Sequence, residues 1–212
     1  MNHKKILAES AAFLQKNVGY TEVRKRSSVF MWILAVILYP FNQRFMSNYT
    51  TTIFGRIYWP DNTDPAEQWR TLWHECMHRK QAIAVGEPWF SLSYLFPLPL
   101  AVLALGAFWS PWWLLALGFL GPLPAPWRVL WEREAYTVTA VCDSLLGIDI
   151  TTDYYLNYQV QHHTGWGYYK PSWWRSRVVR KVREDITRAR NIVSGVEHTP
   201  YTDELLRIVR SS

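Results

Sequence analysis

This chain predicts a mainly α-helical fold with a short strand region (α+β only in a minor sense) and an apolar helical hairpin inserted into it. Three observations lead there. Two long stretches, 64–85 and 126–146, carry helix start and stop signals; residues 45–59 are rich in Thr, Tyr, Phe and Ile; residues 88–127 hold no charged side chain. A length of 212 residues suits one domain with appendages.

Taken in order, His3 to Asn17 reads as an amphipathic helix. The basic cluster Arg24-Lys25-Arg26 then precedes an apolar run, Val29 to Phe41. At about thirteen residues the run suits a buried helix, an interfacial segment or a signal h-region. Its late start and the bulky Tyr39-Pro40-Phe41 argue against a cleavable signal peptide. If the run inserts, its basic flank stays on the cytoplasmic side. Phe45 to Trp59 has strand propensity and closes at Pro60 and the polar turn Asp61-Asn62-Thr63.

The next helix opens on Asp64-Pro65-Ala66-Glu67. Asp64 is an N-cap, Pro65 suits the first helical position, and Glu67 completes an arrangement like a capping box. It runs to about Val85, where Gly86 and Pro88 stop it. Trp69, Trp73, Cys76, Met77 and Ile83 make it apolar over much of its circumference, so it is buried. Within it lies His74-Glu75-Cys76-Met77-His78. Two histidines four apart share one helix face with Thr71, so both imidazoles can reach a single metal ion. Burying them without a partner would be costly, and one zinc ion (Zn2+) per chain removes that cost. Glu75, beside the first histidine, is placed to act as general base.

An open zinc site needs a third protein ligand. The stretch 126–146, ending at Gly147, contains Trp131-Glu132-Arg133-Glu134-Ala135-Tyr136. Glu132 and Glu134 point roughly 200° apart on a helix, so one of them can face the metal. Glu132 shares its face with the small Ala135 and with Tyr136, Thr139 and Asp143, and is favoured; Glu134 suits solvent or an arginine.

His74-Glu75-x-x-His78 followed by a helix reading Glu132-x-x-Ala135 resembles the gluzincin pattern of zinc metallopeptidases. It is similar to the membrane-embedded prenyl-protein and stress-induced metalloproteases, and to small regulator-cleaving peptidases carrying Glu-x-x-Ala-Asp or Glu-x-x-Ala-Asn. The resemblance covers 64–146. It implies a zincin-like core, Glu132 as third ligand, and a peptide or protein substrate whose extended chain pairs with a strand preceding the motif helix. The implied reaction is hydrolysis: zinc polarises the carbonyl, and Glu75 takes a proton from the zinc-bound water and passes it to the leaving amine. Tyr136 stands where those families carry Asp or Asn, so Tyr136 and Asp143 are the candidates for orienting a ligand. His162, His163 and Tyr168, in a tyrosine-rich stretch, are candidates to stabilise the transition state; packing is the commoner use of such residues.

The uncharged residues 88–127 amount to about forty, twice what a membrane span needs. Pro97, Pro99, Ser110-Pro111 and Gly121-Pro122 break them into two pieces, about Leu100 to Trp109 and Trp112 to Leu120. As α-helix each would be about 15 Å long, too short to cross about 30 Å of hydrocarbon. Trp89, Trp109, Trp112, Trp113 and Trp127 lie at the ends and the bend, where an aromatic belt sits. A hairpin that dips into or spans a bilayer is expected, with the core of a soluble helical domain as the alternative. A mean hydropathy of -0.14 argues against a fully polytopic protein, so any membrane attachment is local.

The net charge of +6 and pI near 9.4 favour anionic surfaces. Much of that charge lies in 173–193, a helix led by Trp173-Trp174, with Trp174, Val178, Val182 and Ile186 at helical spacing and Gly195 as its stop. It suits lipid headgroups or plain solvent; no nucleic-acid motif accompanies it. Cys76 and Cys142, mid-helix, read as buried free thiols. The expected organisation is a peptidase domain over 1–170 interrupted by the hairpin at 88–127, then a basic helical extension over 171–212. The overall expectation is a membrane-associated zinc metallopeptidase. Two competitors stand beside it. One is a non-catalytic zinc protein with a fourth ligand such as His162. The other is a membrane-interaction or virion-type structural protein without metal.

Overall fold

The computed structural model describes all residues except 1, 40–42, 54–55, 61–63, 121–122, 124, 166–171, 173 and 212. The helices are α1 (His3–Asn17), α2 (Val29–Leu38), α3 (Phe45–Asn48), α4 (Pro65–Val85), α5 (Glu87–Leu95), α6 (Pro126–Leu145), α7 (Asp153–Thr164), α8 (Arg175–Val193) and α9 (Pro200–Arg210). The strands are β1 (Thr21–Arg24), β2 (Thr51–Ile53) and β3 (Arg56–Trp59). Two 3-10 arms, Leu98–Phe108 and Pro111–Leu120, form the hairpin. The fold is thus mainly helical with a small three-stranded sheet, as expected.

Helix α4 starts where its cap dictates. Asp64 accepts from the backbone N–H groups of Ala66 and Glu67, a cap worth about 1 kcal/mol. At the other end Gly86 has φ 93°, a conformation that side chains disfavour. The core is built around this helix. Trp69 donates its indole N–H to Ser10 Oγ of α1 at 3.0 Å. Trp73 packs between Phe13 and Tyr201, with ring centroids at 6.0 and 4.9 Å. Helix α6 lies along α4 and buries Ala135, Val138, Val141 and Cys142 against it; Cys76 and Cys142 are free thiols.

The stretch 45–59 departs from a single strand. Phe45–Asn48 is a helical turn, and the strands that follow are β2 and β3. Strand β3 takes the centre of the sheet, parallel to β1 and antiparallel to β2. Alternation sends Ile57 and Trp59 into the main core and Tyr58 to the opposite face, against Met31 and Phe45. Strand β2 is left at an edge.

The described part of 171–212 is not set apart as an extension. Helix α8 packs along α6 and α7, and Tyr201, Leu205, Leu206 and Ile208 of α9 belong to the main core. Arg133 of α6 forks onto Asp185 of α8 at 2.9 and 2.7 Å. The expected apolar stripe of α8 holds at Val178 and Val182, buried with Leu156 and Val160, whereas Trp174 is exposed.

The hairpin differs from its expected form in winding. At about 2.0 Å rise per residue, each 3-10 arm is roughly 20 Å long, longer than an α-helix of the same sequence and still short of about 30 Å of hydrocarbon. No single helix among the described residues is long and apolar enough to cross a membrane. The arms meet at Gly106, where an added Cβ would lie 2.6 Å from the Trp113 ring. A glycine is required at that crossing.

Lys25, immediately after β1, is fully buried. Its ammonium donates to the Phe45 carbonyl at 2.7 Å and sits 3.7 Å from the centre of the Phe45 ring. Burial pushes its pKa down to about 7, against the pull of the Glu75 charge. The unfolded chain therefore binds more protons than the native state between about pH 7 and the ordinary lysine value near 10.4, so stability rises with pH across that window. Urea titrations should show the native protein gaining a few kcal/mol over this range. Lys25→Met should lack that gain and be the more stable protein at pH 7.

Candidate metal centre

A spacing of four residues, about one α-turn, decides the first half of the site. His74 and His78 lie one turn apart on α4, with ring centroids 4.9 Å apart. Glu132 of α6 faces both: its Oε2 is 3.4 Å from His74 Nε2 and 3.5 Å from His78 Nε2. One ligand atom from each of the three lies within 4.8 Å of the others. Among the described residues no fourth His, Cys, Asp or Glu joins this group. The group could hold a metal ion.

Hydrogen bonds at the far side of each imidazole determine which nitrogen faces inward. Thr139 Oγ1 donates to the Ala135 carbonyl at 3.1 Å, so its 3.0 Å contact with His74 Nδ1 makes that nitrogen the donor. Gln81 Nε2 donates to the Trp131 carbonyl at 3.0 Å and to Glu134 Oε2 at 2.9 Å, which turns Gln81 Oε1 towards His78 Nδ1 at 3.0 Å. With protons on both Nδ1 atoms, both Nε2 atoms are turned towards Glu132. This is how protein ligands are prepared for a cation. His78 Nε2 and Glu132 Oε2 are buried without a hydrogen-bond partner, the feature a metal ion would resolve.

The two oxygens of Glu132 are divided. Oε2 faces the histidines, while Oε1 accepts from the Tyr94 hydroxyl and lies 3.8 Å from Arg128 Nε. Burial works to raise the Glu132 pKa, but His78 and His74 outweigh it and hold the carboxyl well below its usual range. For His78 burial lowers the pKa, and the Glu132 charge, reinforced by Glu75, brings it above the ordinary value. A metal ion entering here competes with a proton for His78 Nε2.

Glu75 is buried beside the triad, and its Oε2 accepts from Thr52 Oγ1 of β2 at 2.7 Å. The remaining expectations fall out differently. Asp143 does not orient a ligand: fully buried, it accepts from Arg70 at 3.1 Å and from Tyr155 Oη at 2.7 Å, tying α4, α6 and α7 together. Thr139 and Gln81 do the orienting. Tyr136 lies edge-on to His74 at 4.8 Å, between it and His162 and His163, at 4.8 and 5.3 Å. His162 Nδ1 donates to the Tyr158 carbonyl at 2.9 Å, and burial pushes its pKa down to about 4. It is therefore neutral, with no proton on Nε2 to offer an oxyanion. Burial lowers the His163 pKa as well. Tyr168 lies outside the described residues. Glu134 is exposed and holds Gln81.

Tyr94, Arg128, Gln81 and Thr52 had no assigned role in the sequence. Thr139 was visible as a neighbour of Glu132 on one helix face, and Gln81 follows His78 by three. Tyr94 carries no spacing signal, because α5 turns back on α4 only in three dimensions. No family model, curated protein or solved structure matches the chain.

Elemental analysis and chelator competition test the centre. Glu132→Ala should abolish stoichiometric metal binding. Gln81→Leu and Thr139→Val should each weaken it roughly 10–100-fold. Glu134→Ala should cost less, since it acts only through Gln81. Affinity should fall on acidification, because protons compete for His78.

Proposed function

We propose that this protein is a zinc-dependent metallopeptidase of gluzincin type, attached to a membrane by its uncharged hairpin. The observation that carries the proposal is the convergence of two Nε2 atoms and one buried carboxylate oxygen, with a second carboxylate, Glu75, held beside them. Zinc bonds of about 2.0–2.1 Å in tetrahedral geometry separate ligand atoms by about 3.3–3.4 Å. The Glu132 Oε2 separations of 3.4 and 3.5 Å suit an ion of that size. Three protein ligands without a fourth among the described residues also favour an open, catalytic site over a closed structural one.

Zinc bound by His74, His78 and Glu132 would supply Lewis acidity and a water of lowered pKa. The chain supplies the rest. Thr52 holds Glu75 by Oε2 and so steadies the carboxylate that accepts the proton of the attacking water and returns it to the leaving amine. Tyr94 and Arg128 engage Oε1 of Glu132, which keeps Oε2 turned to the ligand position. Strand β2, at the sheet edge among the described residues and in contact with α4, presents its outer backbone edge to an extended peptide beside Glu75. The substrate class follows: a peptide bond in an extended segment.

Glu75→Gln decides the matter. It should retain one metal ion per chain and lose peptide hydrolysis by about 10²–10⁴-fold, the range of a general base. Wild-type cleavage rates in this variant would end the proposal, as would an absence of cleavage by the metal-loaded native chain across a degenerate peptide library.

A further inference from the structure

The largest feature that this chemistry leaves unexplained is the hairpin surface. Phe108, Trp109 and Trp112 are 91%, 85% and 77% exposed. These three side chains alone present roughly 500 Å² of apolar surface, as much as the largest patch on a typical soluble monomer. Leu105, Leu115 and Trp89 add to it. Protein interfaces pair an apolar centre with a polar rim. Here residues 88–127 carry no charge at all, so a rim is missing and a lipid phase is the matching partner. Tryptophans stand at the base of the hairpin (Trp89, Trp127) and at its tip (Trp109, Trp112), and such rings settle at the headgroup boundary. Arms of roughly 20 Å are too short to reach the far headgroups, so interfacial residues at both ends lay the hairpin along the surface of the near leaflet.

The base of the hairpin is also a wall of the metal centre. A short break after Leu95 joins α5 to the first arm, the two axes meeting at 78°. From α5, Phe90 and Tyr94 lay their rings on His78 at 6.0 and 5.4 Å. Ser93 accepts from the Trp131 indole of α6 at 3.0 Å, and Tyr94 donates to Glu132. The segment that meets lipid and the segment that holds a metal ligand are therefore consecutive.

We propose that the hairpin docks in the near leaflet of a lipid bilayer and that α5 carries this docking to the metal centre through Tyr94 on Glu132. The coupling presupposes the metal centre of His74, His78 and Glu132; the docking does not. Docking fixes α5 against α4 and α6, and with it the hydrogen bond that orients Glu132. By linkage, lipid then tightens metal binding and metal tightens lipid binding by the same factor. Peptide segments lying at the membrane surface become the substrates within reach.

The test uses the full chain loaded with zinc and vesicles of phosphatidylcholine with a minor fraction of phosphatidylglycerol. Flotation and the rate of zinc loss to a fluorescent chelator are read separately. The native protein should float, its tryptophans should be quenched by shallow brominated lipids, and its zinc loss should slow about tenfold on vesicles, as expected when an outer partner of a ligand is secured. A Phe108→Asp, Trp109→Asp, Trp112→Asp variant should stay unbound and lose zinc at the native solution rate. Tyr94→Phe should float normally and lose zinc equally fast with and without vesicles. A native protein that does not float overturns the docking, all the more if sedimentation shows a dimer that the triple variant abolishes. Flotation with unchanged zinc loss overturns the coupling. Metal content measured before vesicles are added separates these results from a failure of the metal centre itself.

Discussion

A carboxylate buried between two helices is the constraint on which this structure turns. Glu132 is almost wholly withdrawn from water, and an uncompensated charge in that position would cost several kcal/mol. Two imidazoles on one oxygen and a tyrosine with an arginine on the other make the burial tolerable. Each of those four partners must then be held in turn, which accounts for the roles of Thr139, Gln81 and α5. Polar networks of this kind are stable only when complete. His78 Nε2 and Glu132 Oε2, neither with a hydrogen-bond partner, face each other at 3.5 Å.

The apolar core exists in a form that allows this approach. Helices α4 and α6 come close because Ala135 is small and fully packed, while Trp69 and Trp73 anchor the other side of α4 against α1 and α9. Asp143 extends the same logic away from the metal centre by joining Arg70 and Tyr155. Helix α8, basic on its outer face, is bound to α6 through Arg133 and Asp185 and belongs to this core.

Tryptophan serves two solvents in this chain. Trp59, Trp69 and Trp73 fill the interior, whereas Trp89, Trp109 and Trp112 stand exposed along a hairpin without charges. The hairpin separates His78 from Glu132 in sequence. Its base nevertheless returns to them in space, so an element shaped for an apolar surface borders an ionic one. Under the proposed docking, that adjacency connects lipid contact to the surroundings of the buried carboxylate.

Local signals carried much of this in the sequence. The cap at Asp64, the stops at Gly86 and Gly147, the i to i+4 spacing of His74 and His78, and the face shared by Glu132 and Ala135 all lie within one turn or one helix. Helical geometry translates such spacings directly into direction. The uncharged run was equally legible, because composition needs no fold. What the sequence could not decide were relations between distant segments. The division of 45–59 into a turn and two strands, the inclusion of α8 and α9 in the core, the assignment of Asp143 to Arg70 and Tyr155, and the arrival of Tyr94 at Glu132 depend on how helices pack. Packing is governed by shape and burial over the whole molecule, and neither has a period in the chain.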